Sequence, residues 1–399
     1  MELKQKIEAK INNKVLQVKF DNTSYDRGLW WLFIILLFVG FVAVSSASIF
    51  TPADMKIQND PFYFIKRDIV YIVLGIIICL ISVNIPMERW EKYCTILFWF
   101  TIMLLLVVLT GIGKDTKGAS RWIPLGVANF QPAELAKFTL ICFLASYFTR
   151  RYDDVRSKHL SMFKPFSVMG LLGILLLCQP DLGSTVVLFV VTFGMLYMTG
   201  AKKGQFIFLA VSGVVLFLVA VIAEPYRVKR VLSFMNPFAD SYGSGYQLSH
   251  SLMAFGRGEW FGEGLGNSVH KLSYLPEAHT DFVMAIVGEE FGLIGILVII
   301  VLLGLLVFKA MKIGKDSLLL EQRFRGFFAF GISFWILFQG FVNLGVALGM
   351  LPTKGLTFPL VSYGGSSLII MSMTIGVLLR IDYENRQLFN QQQTTKNAH

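Results

Sequence analysis

The sequence predicts an all-α polytopic membrane protein: ten transmembrane helices, both termini cytoplasmic, and a large extracytoplasmic loop between helices 7 and 8. Three observations predict it. Hydrophobic residues make up 55% of the 399 residues and charged residues only 16%, against roughly 25% charged in an average soluble domain. The mean hydropathy is +0.62. The apolar residues come in long blocks, most of them near the roughly 20 residues that carry a helix across hydrocarbon, and the alternating pattern of a membrane β-barrel is absent. A soluble globular enzyme, a disordered chain and a disulfide scaffold are excluded.

The elements follow in order. Residues 1–28 form a polar cytoplasmic tail carrying Lys4, Lys6, Lys10, Lys14, Lys19 and Arg27. The block from Leu29 to Phe50 is too long for a signal-peptide core, so it reads as an uncleaved first span. Further blocks run at 68–85, 93–112, 132–148, 166–179, 183–199, 205–223, 282–308, 327–350 and 359–379. The two shortest, 166–179 and 183–199, are split only by Pro180-Asp181-Leu182 and read as a hairpin that does not cross fully. Residues 29–380 thus form one membrane domain, with 224–280 as its large outer loop. A loop that long is more often functional than connective, so any chemistry is expected to face outward. Residues 381–399 form a cytoplasmic tail whose end, Gln387 to His399, is Gln-rich and reads as disordered. With the N-terminus inside, roughly two thirds of the 36 Lys and Arg fall in inside segments, as the positive-inside rule requires. The net charge of +10 is therefore mostly topology, and no nucleic-acid motif accompanies it. Cys79, Cys94, Cys142 and Cys178 all lie in apolar blocks without metal or redox spacing and read as small core residues.

Ionisable groups at membrane depth are costly and usually mark function. In Gln131-Pro132-Ala133-Glu134-Leu135-Ala136-Lys137, Pro132 suits a first helical turn. Glu134 and Lys137, three apart, share a face. They are either a docking ion pair or the charged lining of an outward cavity. The preceding loop adds Lys114, Lys117, Arg121 and Trp122; its cations could hold a phosphate or snorkel to headgroups. Asp181 is either a helix cap or a site residue. Thr280 or Asp281 would open the eighth span, as a cap or as a carboxylate at the membrane–water boundary. The helix dipole favours its ionised form, which suits a base better than an acid. Glu289 and Glu290 follow two turns deeper and, at 100° per residue, cannot both line one surface. His279 beside that cap reads as a hydrogen-bonding residue. Gly, Ser and Pro interrupt the chain from Leu351 to Ser367, a pattern of either close helix packing or a site. These residues leave open an enzyme acting on a lipid-linked substrate and a transporter.

Several segments resemble the SEDS family of bacterial cell-wall polymerases: Gly118-Ala119-Ser120-Arg121-Trp122-Ile123, Gln131 to Lys137, Gln179 to Gly183, Gly245-Tyr246-Gln247, Pro276 to Phe282 and Tyr363 to Ser367. They occur in order from the first span to the tenth. Ala254 to Gly262, Gly266 to Leu272 and Leu351 to Leu356 are similar to the family's division branch rather than its elongation branch, with His270 where that branch more often has Gln. The resemblance implies a peptidoglycan glycosyltransferase that polymerises lipid II at the outer face of the bacterial cytoplasmic membrane, at the division septum. It implies Asp281 as the essential carboxylate. Lys114, Arg121, Lys137 and Arg257 are candidates to hold the departing pyrophosphate, Glu134 would hold Lys137 in place, and a divalent cation (Mg or Mn) could share that work. The implied partners are a class B penicillin-binding protein and other divisome proteins. The absence of a Rossmann-like nucleotide site fits a lipid-linked donor. The competing expectations are a lipid II flippase and a non-catalytic divisome scaffold.

Overall fold

The computed structural model describes residues 25–49, 60–112, 114–116, 119–124, 129–157, 161, 163–201, 203–222, 228, 232–240, 242–272, 274–352 and 355–397. The basic tail before Tyr25, Lys117, Gly118, Glu224, Thr353 and Lys354 lie outside the described residues.

The chain is mostly helical. In order it forms α1 (Arg27–Ser48), α2 (Tyr63–Val83), α3 (Met87–Val107) with a π-turn (Val108–Ile112), β1 (Lys114–Thr116), β2 (Ala119–Pro124), β3 (Asn129–Phe130), α4 (Pro132–Arg150) and α5 (Tyr152–Ser157). Then come α6 (Phe163–Cys178), α7 (Leu182–Met198), α8 (Lys203–Ile222), α9 (Tyr246–Gly258), α10 (Val283–Leu319), α11 (Arg323–Ala347) and α12 (Gly365–Asn397). The three short strands make an antiparallel sheet in the order β1-β2-β3. Each apolar block of the sequence contains a helix. Five of them, α1, α3, α10, α11 and α12, are long and apolar enough to cross a membrane; α6 and α7 are shorter.

Local chemistry sets several helix starts. The Asp26 carboxylate accepts from the N–H groups of Gly28 and Leu29 and caps α1. Asp181 accepts from Ser184 N and caps α7, which answers one of the N–H groups that a helix start leaves unpaired. Pro132 sits in the first turn of α4.

α4 is buried nearly all round, between α3, α7 and α11. α2 lies along α12, and Gly376 passes so close to the Cys79 carbonyl that a Cβ there would overlap it. Small residues permit that approach, where packing rather than water expulsion must hold helices together. α8 packs against α7 and turns Ile207, Val211, Val214, Leu218 and Ile222 outward. α1 and α10 run antiparallel, with Ser46 beside Glu290 at one end and Asp26 beside Lys309 at the other.

Three expectations need correction. Cys178 is exposed at the end of α6, while Cys79, Cys94 and Cys142 are buried as expected. The last helix begins at Gly365, not at 359, and continues through Asn397 where a disordered tail is expected. Its polar extension is bonded into the fold. Asp382 accepts from Asp26 N at 2.7 Å and from Arg386 at 2.7 Å, and Glu384 pairs with Arg325 at 2.6 Å and Arg380 at 2.7 Å. Lys309 reaches Asp26 at 2.7 Å. Burial works to raise the Asp26 carboxyl, but Lys309 overcomes it and holds the group below the ordinary carboxylate range.

The third correction is the eighth apolar block, which is not one continuous helix. Gly292 takes φ 65 and ψ −164 and breaks α10. The segment after α9 fills the break. Glu263 N and Gly264 N donate to the Glu289 and Glu290 carbonyls at 2.9 and 3.0 Å, and Leu293 N and Ile294 N donate to the Glu259 and Trp260 carbonyls at 2.9 and 3.2 Å. The loop therefore supplies the hydrogen bonds that the helix loses. A Cβ on Gly292 would lie 2.5 Å from Gly262 N and Trp260 O, and its backbone region is one that only glycine visits readily. Gly292→Ala is expected to lower stability by about 3 kcal/mol, read as a lower melting temperature in detergent. Gly304→Ala, whose Cβ would meet nothing within 4 Å, should not lower it. Equal melting temperatures for the two variants would contradict this account of the break.

Candidate functional site

Asp281 stands in a turn just ahead of α10. Glu277, at φ 58, folds the chain back so that Thr280 N and Phe282 N both donate to its carbonyl at 3.2 Å. Phe282 occupies the capping position and no side chain caps the helix, so neither Thr280 nor Asp281 fills the cap role the sequence allows. Asp281 is half-buried, and its Oδ2 lies against Gly355, where an added Cβ would come within 3.0 Å.

The wall facing Asp281 is the non-helical segment between α11 and α12. Two amides one turn apart on α11 hold it. Asn343 Nδ2 donates to the Asp281 carbonyl at 2.9 Å and to the Leu356 carbonyl at 2.6 Å. Gln339 Nε2 donates to the Thr357 carbonyl at 2.9 Å, and Thr357 Oγ1 bonds Ser367 Oγ at 2.8 Å. Ser366 Oγ accepts from Gln131 N and donates to Asn129 O at 3.0 Å, which ties the start of α12 to the start of α4. Tyr363 N donates to the His279 carbonyl at 2.9 Å, and the His279 ring packs on Phe64 and Tyr363.

Glu134 and Lys137 pair at 2.8 Å with side chains essentially sealed from solvent. Lys137 also donates to Gln339 Oε1 at 2.8 Å, which accepts from Trp335 Nε1 at 2.7 Å as well. One polar chain therefore runs from Glu134 through Lys137 and Gln339 to Thr357. The residue beside Thr357, Leu356, is held by the same Asn343 that holds Asp281. Of the sequence-derived candidates, Glu134, Lys137 and Asp281 are the ones the structure joins.

The others sit elsewhere. Arg121, on β2, donates to the Gln179 and Pro180 carbonyls at 2.9 and 2.6 Å and so answers the end of α6. Arg257, at the end of α9, lies 3.3 Å from Glu289 and 3.7 Å from Glu263. Lys114 pairs through its backbone with Trp122. Glu289 and Glu290 point apart, as their spacing requires, and both anchor the large loop. Glu289 accepts from Ser268 Oγ, from Val269 N at 3.0 Å and from His270 N at 3.3 Å. Glu290 accepts from Ser46 at 2.7 Å and from the buried Lys271 at 2.7 Å. On α9 of the loop, burial first and the neighbouring His270 second push the His250 imidazole below its usual range.

Sequence reasoning missed Gln339, Asn343, Lys271 and Asp68, which is buried on α2 with its Oδ1 lacking a hydrogen-bond partner. The available signal was a pair of amides at i and i+4 within an apolar span, and an ionisable residue at the mouth of another. Among the described residues no three of His, Cys, Asp and Glu converge to hold a metal ion.

Comparison with known proteins places this geometry. The model of the FtsW/RodA/SpoVE family, described as cell cycle proteins, matches residues 27–387. A Pasteurella multocida protein named as a probable peptidoglycan glycosyltransferase FtsW is 66% identical over 366 residues, covering 92% of each chain. An Escherichia coli protein of the same name is 52% identical over 362 residues, covering 91% of this chain and 87% of its own. Among solved structures, a chain of a peptidoglycan synthase complex that coordinates polymerization and crosslinking superposes with a TM-score of 0.75 at 28% identity, covering 91% of this chain and 99% of its own. The rod shape determining protein RodA of Thermus thermophilus gives 0.66 at 27% identity, covering 90% of this chain and 97% of its own. With the match spanning nearly the whole chain, the protein belongs to the FtsW/RodA/SpoVE family of cell cycle proteins.

Proposed function

We propose that this protein is a peptidoglycan glycosyltransferase of the FtsW kind, polymerising lipid II into glycan strands at the outer face of the cytoplasmic membrane during septal wall synthesis. The observation that carries the chemistry is the Asp281 carboxylate, half-buried at the junction of the large loop and α10 and walled by the segment that α11 holds. The reading takes the ten helices of the apolar blocks as spans, with residues 1–28 and 381–399 on the cytoplasmic side and 224–280 outside. The excess of Lys and Arg on the inside segments supports it.

Asp281 takes the proton from the 4-hydroxyl of the acceptor sugar. The oxygen attacks the anomeric carbon of the lipid-linked donor, the new C–O bond forms, and the bond to undecaprenyl pyrophosphate breaks. Cations near the leaving group stabilise the charge it gains. Lys114, Arg121 and Arg257 remain candidates for that contact. Lys137, enclosed between Glu134 and Gln339, supports the site frame instead. The partner in this reading is a class B penicillin-binding protein that supplies the crosslinking step, in line with the structural neighbour's origin in a synthase complex.

Two experiments test the reading. Purified with its transpeptidase partner and given lipid II in detergent, the wild type should build glycan chains. Asp281→Asn should lose about 10²–10⁴-fold in rate while it still folds and binds the partner. Undiminished polymer from that variant would remove Asp281 from the mechanism. Lys137→Met strands a buried carboxylate, and such a break costs about 3–5 kcal/mol, so both melting temperature and activity should fall. Adding Glu134→Gln should restore much of both. Recovered stability without recovered polymerisation would instead place the Lys137 charge in the reaction.

A further inference from the structure

The base proposed above needs something to hold it, and its own helix supplies no cap. What fixes the Asp281 peptide is a side chain from another helix. Asn343 is buried on α11, and its single amide nitrogen bonds two carbonyls from segments far apart in sequence, Asp281 at 2.9 Å and Leu356 at 2.6 Å. An amide has two N–H donors, so both are used. The orientation follows from the chemistry, because a flipped amide would set its oxygen against two carbonyl oxygens. The Asn343 Oδ1 is buried and has no hydrogen-bond partner. A side chain retained only for packing would not carry such an orphan, since an apolar residue of the same shape avoids its desolvation penalty. The two donors are what this position requires.

Leu356 follows Gly355, and Gly355 faces the carboxylate. A Cβ there would stand 3.0 Å from Asp281 Oδ2, so the absence of a side chain leaves room for that oxygen. Gly355 is exposed, and its φ lies outside the region reserved for glycine. Neither buried packing nor backbone strain therefore calls for glycine at this position. Asn343 fixes the spacing of the two segments, and Gly355 keeps the gap between them open.

We propose that Asn343 is a positioning residue for the Asp281 carboxylate: it clamps the Asp281 and Leu356 peptides at a fixed separation, with Gly355 leaving the space into which the carboxylate projects. The inference rests on Asp281 being the base.

The test uses the full chain with its transpeptidase partner and measures kcat and KM for lipid II. A misplacement of about 1 Å can cost about 10²-fold, so Asn343→Ala should lower kcat by about that factor while KM stays within about threefold. Asn343→Ser, which keeps one donor, should fall between Asn343→Ala and the wild type. Gly355→Ala displaces the carboxylate by only a few tenths of an ångström and should lower kcat by about threefold to tenfold. Being exposed, it should keep the wild-type melting temperature, so it decides the matter if Asn343→Ala does not fold. A wild-type kcat for Gly355→Ala beside an inactive Asp281→Asn overturns the clamp and leaves the base standing. A loss in Asn343→Ala that lies wholly in KM also overturns it. Full activity of Asp281→Asn in the same assay removes the base, and the clamp's purpose with it.

Discussion

A peptide group that leaves a helix at membrane depth must find another partner, because no water is there to supply one. Two departures from regular helix among the described residues follow this rule. At Gly292 the freed groups of α10 bond to residues 259–264 of the large loop. Between α11 and α12 the described residues, 348–352 and 355–364, are not helical, and Gln339, Asn343 and Ser362 side chains answer backbone groups there. The first break seats the large loop on α10. The second forms the wall opposite Asp281. The Asn343 that holds the second also holds the Asp281 carbonyl.

Buried charge follows the same logic. Glu134 with Lys137 and Glu290 with Lys271 are each sealed pairs with further hydrogen bonds, to Gln339 and to Ser46. Such pairs add little net stability, since desolvation offsets their attraction, yet losing one partner is severe. Their value lies in register. The first sets α4 against α11, and the second sets the large loop against α1 and α10. Chemistry that depends on sub-ångström placement needs registers of this kind.

Much of this was legible in the sequence. The apolar blocks located the helices, and the i, i+3 spacing of Glu134 and Lys137 announced their pair. Asp181 fills the capping role that Asp serves well, and the 100° rotation separated Glu289 from Glu290. Other features were hidden for physical reasons. Gly292 is one of several glycines in an apolar run, and only the distant residues 259–264 give its torsion a purpose. The polar helix after Arg380 reads as a tail because Asp26 and Arg325, which bond its Asp382 and Glu384, lie far away in sequence. The protein oxygens beside Arg121 and Arg257 were equally hidden, since they come from other segments. Gln339 and Asn343 stand out locally only as two amides at i and i+4 in an apolar span; what Asn343 holds was hidden, since both carbonyls come from other segments.

The chemistry proposed for Asp281 requires position 281 to face the exterior side of the bilayer. The most direct measurement is labelling of Asp281→Cys by a membrane-impermeant maleimide in intact right-side-out membranes, with Cys178→Ser removing the exposed native thiol. Arg380→Cys on α12 serves as the control for the opposite end of the bundle. The account predicts rapid modification at 281 and none at 380 until the membrane is opened. Modification of 281 only after opening, or only from the cytosolic side, would contradict it.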